Sequence, residues 1–156
     1  MRRVIYIKLP GTLKYRDLAV RAVSSACKLV APLSSMLHRE FADHVVSAFA
    51  EAYNNAALHS YRGRAPGNIE IEIDDGQWQG TQAMIIRMRD FGNSFDLAQV
   101  PTPDLDSLPE SGLGIFIIKS FMDDVSYQAG APNILSMTKR IPTADKLTGE
   151  DRQGRP

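Results

Sequence analysis

Hydrophobic and polar positions along the chain follow two different periods. Between Asn68 and Asp74, isoleucine occupies every second position and acidic residues fill most of the positions between. This alternation predicts a half-buried β-strand. From about Met36 to Tyr61, apolar residues recur instead at spacings of three and four, which predicts a long helix. The apolar stripe of that helix consists of Phe41, Val45, Ala48, Phe49, Ala52 and Ala56.

The same criteria predict the other elements and the fold class. About five strands and three helices result, which favours an α+β fold. We expect a two-layer α/β sandwich, with a mixed, mostly antiparallel sheet and the helices on one face. Asp75-Gly76 is predicted to turn the chain from one strand into the next. The further strands are predicted at residues 3–9, 83–89, 125–128 and 134–141, and the further helices at residues 15–30 and 112–122.

Composition and charge limit the possible classes of function. The chain has 156 residues, of which 44% are hydrophobic and 23% charged, and its formal net charge is +0. A balanced charge argues against DNA or an anionic membrane surface as a direct partner. The single Cys27 cannot form an internal disulfide, which favours a reducing compartment. We expect one domain over residues 1–141, a polar and disordered tail over 142–156, and a cytoplasmic location.

One group of candidate functional residues lies near the end of the long predicted helix. Glu51, Asn55 and His59 are spaced by four residues and therefore share one helical face. A carboxylate and a carboxamide one turn apart suit Mg²⁺, which typically takes one or two protein ligands and completes its shell with water and phosphate oxygens. The alternative is an ordinary polar edge of a surface helix.

A second group follows the predicted strand over residues 83–89. Asp90-Phe91-Gly92 places a carboxylate at the strand end, just before a glycine that permits a sharp turn. Such an acceptor suits the exocyclic amino group of adenine. The alternative is a plain Asx-Gly turn with no ligand.

A third group opens the last predicted helix. Gly112-Leu113-Gly114-Ile115 brings two glycines to a helix start, where backbone amides bind phosphate and glycine allows close approach. The sequence is not a Walker loop, because no Gly-Lys-Ser/Thr follows. The preceding residues 96–111 contain several prolines and acids without periodicity, and we expect them to form a lid.

Taken in order, the three groups resemble the motif set of the histidine-kinase-like ATPases, whose shared nucleotide site is called the Bergerat fold. Glu51-x-x-x-Asn55-Ala56-x-x-His59 resembles the family's N box. Asp90-x-Gly92 is similar to its first glycine box, and Gly112-x-Gly114 to its second, with a lid between them. The resemblance covers about residues 3–141, which is nearly all of the chain that we expect to be ordered.

Within that superfamily the chain most resembles the serine kinases that also act as anti-sigma factors. The resemblance implies that the protein uses ATP and Mg²⁺ to phosphorylate a serine of an anti-anti-sigma protein of the STAS type. It also implies a sigma factor as a second partner and a homodimer. The stretches that carry it are residues 51–61, 95–96, 108–118, 122–125 and 138–141, together with the acidic, proline-rich lid.

The resemblance also implies roles for individual residues. Asn55 would hold Mg²⁺, and Glu51 would act as general base and reach the metal directly or through a water. The amides of Gly112, Leu113 and Gly114 would cradle the phosphates, and Asp90 would read adenine. The implied ATP-binding set is completed by His59, Gly92, Phe95 and Ile115.

Two positions depart from the family pattern. Ser94 stands where a second glycine is frequent, and Pro132-Asn133 stands where the last strand is often entered through Gly-Thr. The threonine hydroxyl of that pair joins the aspartate at adenine, so Asn133 and Ser136 are the candidates to replace it.

Two other interpretations of function stay open. One is an ATP-binding regulatory interaction module without kinase activity, and the other is a regulator on the same fold whose target is not a sigma factor. Glu51 favours the enzyme over the module, because nucleotide binding alone does not need a base there.

Overall fold

The computed structural model describes residues 1–31, 36–104, 106 and 112–143. Five strands and three helices follow one another in the predicted order, and the predicted α+β class is confirmed. None of the described helices has the length and apolar composition needed to cross a membrane. The elements are β1 (Arg2–Pro10), α1 (Arg16–Val30), α2 (Met36–Asn55), β2 (Asn68–Trp78), β3 (Thr81–Asp90), α3 (Gly114–Phe121), β4 (Asp124–Gln128) and β5 (Asn133–Arg140).

The strands form one sheet in the order β1-β2-β3-β5-β4, and each neighbouring pair is antiparallel. The sheet was expected to be mixed and mostly antiparallel, and every pairing that the structure describes is antiparallel. The order places the C-terminal end of β3 beside the start of β5, with Asp90 opposite Asn133. These two strand ends form one side of the candidate site.

The core lies between the sheet and the helices. Ile69, Ile71 and Ile73 are buried on the helix-facing side of β2, as the alternation predicts. The predicted stripe of α2 is buried in the same cluster, with Val45, Ala48 and Phe49 at 0% exposure. Burial of these faces fixes the register of β2 and the rotation of α2, because a one-residue slip of a strand would turn its apolar set outward.

The turn predicted at Asp75-Gly76 is wrong. β2 continues to Trp78, and the chain reverses at Gln79 and Gly80, which both adopt positive φ angles of 49° and 75°. Two central residues with positive φ form the tight hairpin turn whose twist matches the flanking strands. Trp78 therefore lies at a strand end, where the Arg140 guanidinium sits over its ring at 4.7 Å from the centroid.

Two predicted helix boundaries also shift. The long helix does not run as one α-helix to Tyr61, because α2 gives way at Asn55 to a π-helical turn over Ala56–Ser60. The last helix begins at Gly114 and not at Gly112, whose φ of 81° is left-handed and lies outside helical geometry. The predicted tail, residues 142–156, falls outside the described residues apart from Pro142 and Thr143.

Candidate functional site

A cavity of about 320 Å³ lies between the end of α2, the start of α3 and the ends of β3, β4 and β5. Its wall is mainly apolar, with a few polar side chains, as in sites that bind small molecules. All three groups of candidate residues contribute to it or lie beside it. The lining residues are Ala52, Asn55, Ala56, His59, Ser60, Met88, Asp90, Asn93, Ser94, Phe95, Val100, Ile115, Tyr127 and Leu135.

Glu51 and Asn55 meet the glycine that begins α3. A Cβ atom placed on Gly114 would lie 3.1 Å from Oε2 of Glu51 and 3.4 Å from both amide atoms of Asn55. Any larger residue at position 114 would therefore press on these two side chains. The fold thus brings the first and third groups together, although they are separated by about sixty residues in the chain.

Asp90 ends β3 with its side chain against the cavity, and the residue is only 7% exposed. Its Oδ1 accepts hydrogen bonds from the Gly92 amide at 3.0 Å and from Nδ2 of Asn133 at 2.9 Å. The first bond is the Asx turn that the sequence offered as the alternative. The second bond, and the position of Asp90 on the cavity wall, go beyond a plain turn.

Gly92 packs against the π-helical turn at the end of α2. A Cβ atom at this position would overlap the Ser60 carbonyl, and the next residue, Asn93, donates its amide to that carbonyl at 2.5 Å. Tyr61 holds the same loop, because its hydroxyl accepts from the Phe91 amide at 3.0 Å and donates to the Asn68 carbonyl at 2.6 Å. These contacts fix the direction in which Asp90 enters the cavity.

His59 lies at the rim of the cavity, where the π-helical turn alters the four-residue spacing from Asn55. Its side chain is exposed, and Nδ1 lies 3.1 Å from Nη2 of Arg62. Glu51 and Asn55 are thus the members of the predicted helical face that meet Gly114, and His59 occupies a separate place beside them.

Phe95 and Tyr127 form an aromatic wall. Their ring centroids are 4.1 Å apart, and both residues line the cavity. Burial raises the pKa of the Tyr127 hydroxyl above its ordinary value. Phe95 was predicted, whereas Tyr127 was not, because none of the quoted motifs includes Tyr127.

Ile115, in the first turn of α3, lines the cavity, and Leu113 is the N-cap residue of that helix, without a side-chain capping hydrogen bond. Gly112 is exposed and adopts a left-handed backbone that glycine reaches at little cost. Residues 107–111, which precede it, lie outside the described residues. Of the predicted lid, residues 96–104 and 106 are described, and Val100 reaches the cavity wall.

Comparison with known proteins identifies the family. Residues 16–139 match the family described as the histidine kinase-like ATPase domain. The chain belongs to this family. The match spans every candidate residue from Glu51 to Asn133, and it confirms the resemblance that the order of the three groups indicated.

Three curated relatives of this histidine kinase-like ATPase carry the name serine-protein kinase RsbW. The protein of Bacillus velezensis is 30% identical over 102 residues, which cover 60% of this chain and 61% of the relative. The protein of Bacillus pumilus is 27% identical over 144 residues, covering 87% of this chain and 85% of the relative. The protein of Listeria innocua is 28% identical over 149 residues, covering 90% of this chain and 89% of the relative.

The residues present fit a nucleotide with a divalent cation, the ligand type that an ATPase domain implies. An apolar cleft with one buried carboxylate, Asp90, suits a purine whose edge carries an amino group. Gly114 leaves room beside Glu51 and Asn55 that a Cβ atom would fill. In the described part of the chain no three His, Cys, Asp or Glu side chains form a metal-binding group, so a cation here would draw most of its ligands from phosphate and water.

Proposed function

We propose that this protein is an ATP-dependent protein serine kinase that also acts as an anti-sigma factor. Its substrate is a serine of an anti-anti-sigma protein of the STAS type, and it works as a homodimer with Mg²⁺. The observation that carries the proposal is the approach of Gly114 to both Glu51 and Asn55. The relatives named serine-protein kinase, two of which align over more than four fifths of this chain, support the same activity.

Each candidate residue has a role in this proposal. Asp90 accepts a hydrogen bond from the exocyclic amino group of adenine, and Phe95 and Ile115 flank the base. Asn55 holds the metal, which would neutralise developing charge on the phosphates when bound. The amides of Gly112, Leu113 and Gly114 face the phosphates, and Gly92 and His59 complete the binding set.

Glu51 is the general base. It takes the proton of the partner serine as the serine oxygen forms its bond to the γ-phosphorus and the bond to the ADP oxygen breaks. Little covalent chemistry falls to the protein in such a transfer, so the rate depends on position and electrostatics. Glu51 is suited to this because its carboxylate lies at Gly114, beside the proposed phosphate loop.

The second candidate function is an ATP-binding regulatory module without kinase activity. The carboxylate at Gly114 favours the enzyme, since binding alone needs no base at that position. Two experiments test the proposal in turn: calorimetry of Mg²⁺-ATP binding, and transfer of the γ-phosphate of labelled ATP to a serine of a STAS-type protein. Nucleotide binding without transfer would favour the module, and a labelled protein of another class would move the target away from sigma regulation.

Asp90→Asn is expected to weaken ATP binding by roughly 10- to 100-fold, the range for a lost hydrogen bond to a charged group. The amide can still bond the Gly92 and Asn133 donors through its oxygen, so the fold should change less than the affinity. Titration calorimetry gives the affinity, and thermal unfolding gives the stability. Equal competition of GTP and ATP for the wild-type protein would show that Asp90 does not read the amino group.

Residues 96–111 are expected to close over the nucleotide as a lid. In the described part, Val100 already reaches the cavity, while residues 96, 98 and 99 are exposed, so local opening should cost little. Amide hydrogen exchange in this segment should slow when a non-hydrolysable ATP analogue and Mg²⁺ are added. The hairpin turn at Gln79-Gly80 lies at the opposite end of β3 from Asp90 and serves as the control. Its exchange should not change. Identical exchange of the lid with and without the analogue argues against closure.

A further inference from the structure

Asn133 is the first residue of β5 and is fully buried, at 0% exposure. It lies directly opposite Asp90 in the sheet. Its carboxamide makes hydrogen bonds on both sides, which a buried amide requires if it is not to destabilise the fold. Ser136, the other candidate that the sequence offered, lies opposite Arg87 in the sheet, three positions further along β5.

The orientation of the Asn133 amide is fixed by its neighbours. Oδ1 accepts from the Ser94 hydroxyl at 2.5 Å and from the Gly130 amide at 3.0 Å. Nδ2 donates to Oδ1 of Asp90 at 2.9 Å and to the carbonyl of Gly92 at 3.2 Å. A reversed amide would place its NH₂ group against the Gly130 N–H and its oxygen against two acceptors, so that orientation is excluded.

The two positions that depart from the family pattern, Ser94 and Asn133, are therefore bonded to each other. Ser94 donates the hydrogen bond that holds Asn133, and Asn133 donates the hydrogen bond that holds Asp90. A glycine at position 94 would offer no donor, and a shorter side chain at position 133 would leave the Ser94 hydroxyl without this acceptor. The two residues form a linked pair behind the carboxylate.

The hydrogen bonds to the Asp90 carboxylate end on one of its two oxygens. Within the described part of the chain, both hydrogen bonds to the carboxylate end on Oδ1, from Gly92 and Asn133. The Nδ2 hydrogens of Asn133 are engaged by protein acceptors, so the amide offers no hydrogen to a base. Asp90 lines the cavity, and its Oδ2 accepts no hydrogen bond from the described residues, so this oxygen is the acceptor left for a ligand.

We propose that Asn133 and Ser94 are a coupled pair of positioning residues that hold Asp90 so that the site prefers adenine over guanine. The proposal rests on the proposed function, because it assumes a purine in this cavity. Adenine carries an amino donor where guanine carries the O6 acceptor. A carboxylate held with an oxygen toward that point attracts the amino group of adenine and repels O6 of guanine. A carboxylate held by the Gly92 amide alone is less firmly oriented and discriminates less.

The test is the ratio of ATP to GTP affinity, measured by competition calorimetry with Mg²⁺ on wild type and four variants. Asn133→Ala should lower the ratio about tenfold, because Asp90 loses a charge-assisted hydrogen bond. Ser94→Ala, which removes only a hydroxyl on an exposed residue, should lower it roughly two- to fivefold. The double variant should equal Asn133→Ala alone, since Ser94 acts through Asn133. Ser126→Ala, which removes an exposed hydroxyl on the neighbouring strand β4 outside the cavity lining, is the control and should leave the ratio unchanged.

The possible results distinguish failure of the proposed function from failure of the positioning role. A wild type that binds neither nucleotide overturns the proposed function and this proposal together. Suppose that the wild type binds ATP and that Asn133→Ala and Ser94→Ala weaken the binding of ATP and GTP equally. The ratio of the two affinities then stays constant, and this result overturns the positioning role alone. If Asn133→Ala does not fold, the ATP-to-GTP ratio of Ser94→Ala is compared with that of Ser126→Ala. An unchanged ratio in Ser94→Ala then overturns the coupled pair.

Discussion

Glu51→Gln is expected to bind Mg²⁺-ATP with nearly wild-type affinity and to transfer phosphate to its protein partner about 10²–10⁴-fold more slowly, the usual contribution of a general base. The two side chains have nearly the same shape, so the contact with Gly114 and the packing of α2 should survive. Gln cannot accept the serine proton. Phosphate transfer at saturating ATP, followed with γ-labelled nucleotide, measures the effect.

Glu40→Gln is the matched control for this variant. Glu40 lies on the same helix, is exposed, and sits near His44 away from the cavity. It should transfer phosphate at the wild-type rate. If Glu51→Gln is as fast as Glu40→Gln, Glu51 is not the base, and its place at Gly114 has another cause.

Asn55→Ala is expected to abolish most of the magnesium-dependent affinity for ATP. Removal of an outer-sphere partner lowers metal affinity by roughly 10- to 100-fold, and loss of a direct metal ligand should lower it by more. The alanine should be accepted by α2, because Ala52 and Ala56 are its close neighbours on the helix and alanine favours helices. Calorimetry with Mg²⁺ and with a chelator separates the metal-dependent part of the affinity from the rest.

Asn54→Ala provides the comparison for this variant. Its Oδ1 accepts from Nε of Arg16 at 2.7 Å, and Asn54 does not line the cavity. Any general effect of removing an asparagine from this turn should occur in both variants, whereas loss of the magnesium dependence should occur only in Asn55→Ala. Unchanged Mg²⁺-ATP affinity in Asn55→Ala would remove Asn55 from the metal site.

Elements with a strong period could be predicted from the sequence, because burial of one face dominates their energetics. The isoleucines of β2 and the stripe of α2 lie where the periodicity placed them. The hairpin turn could not be placed in the same way. Asp75-Gly76 has the composition of a turn, yet Gly76 pairs with Ala83 inside the hairpin, and the reversal occurs at Gln79-Gly80.

On the outer face of the sheet, the alternation of apolar and polar residues did not predict which side chains are buried. Alternation places Glu72 and Asp74 on a face that should meet solvent, but both are buried, at 5% and 2% exposure. Arginines from neighbouring strands cover them: Arg3 and Arg89 bond Glu72, and Arg87 bonds Asp74. Burial alone would raise the pKa of Glu72, but the guanidinium groups of Arg89 and Arg3 outweigh this effect and hold the pKa below its ordinary value. Such partners are far apart in sequence and become visible only through strand register.

The residues of the candidate site likewise divide into those with a local sequence signal and those whose place depends on the fold. Glu51, Asn55, Asp90 and Gly114 carry local signals, namely helical spacing and glycine turns, and these signals were sufficient to select them. Tyr127 lies outside every motif that the sequence offered. Its contribution to the cavity depends on β4 standing next to β5 at the edge of the sheet, which the sequence did not specify. Asn133 was a candidate because of the family pattern, but its bond to Ser94 required the structure.

Transfer of phosphate to a protein serine tests the proposed kinase most directly. The wild-type protein is incubated with Mg²⁺ and γ-labelled ATP together with STAS-type proteins of its host, and the modified residue is identified by mass spectrometry. The site predicts a single phosphoserine on one such protein, absent without Mg²⁺ and strongly reduced with Glu51→Gln. A protein that binds Mg²⁺-ATP and a STAS-type partner but leaves every serine unmodified would contradict the kinase and favour the regulatory module.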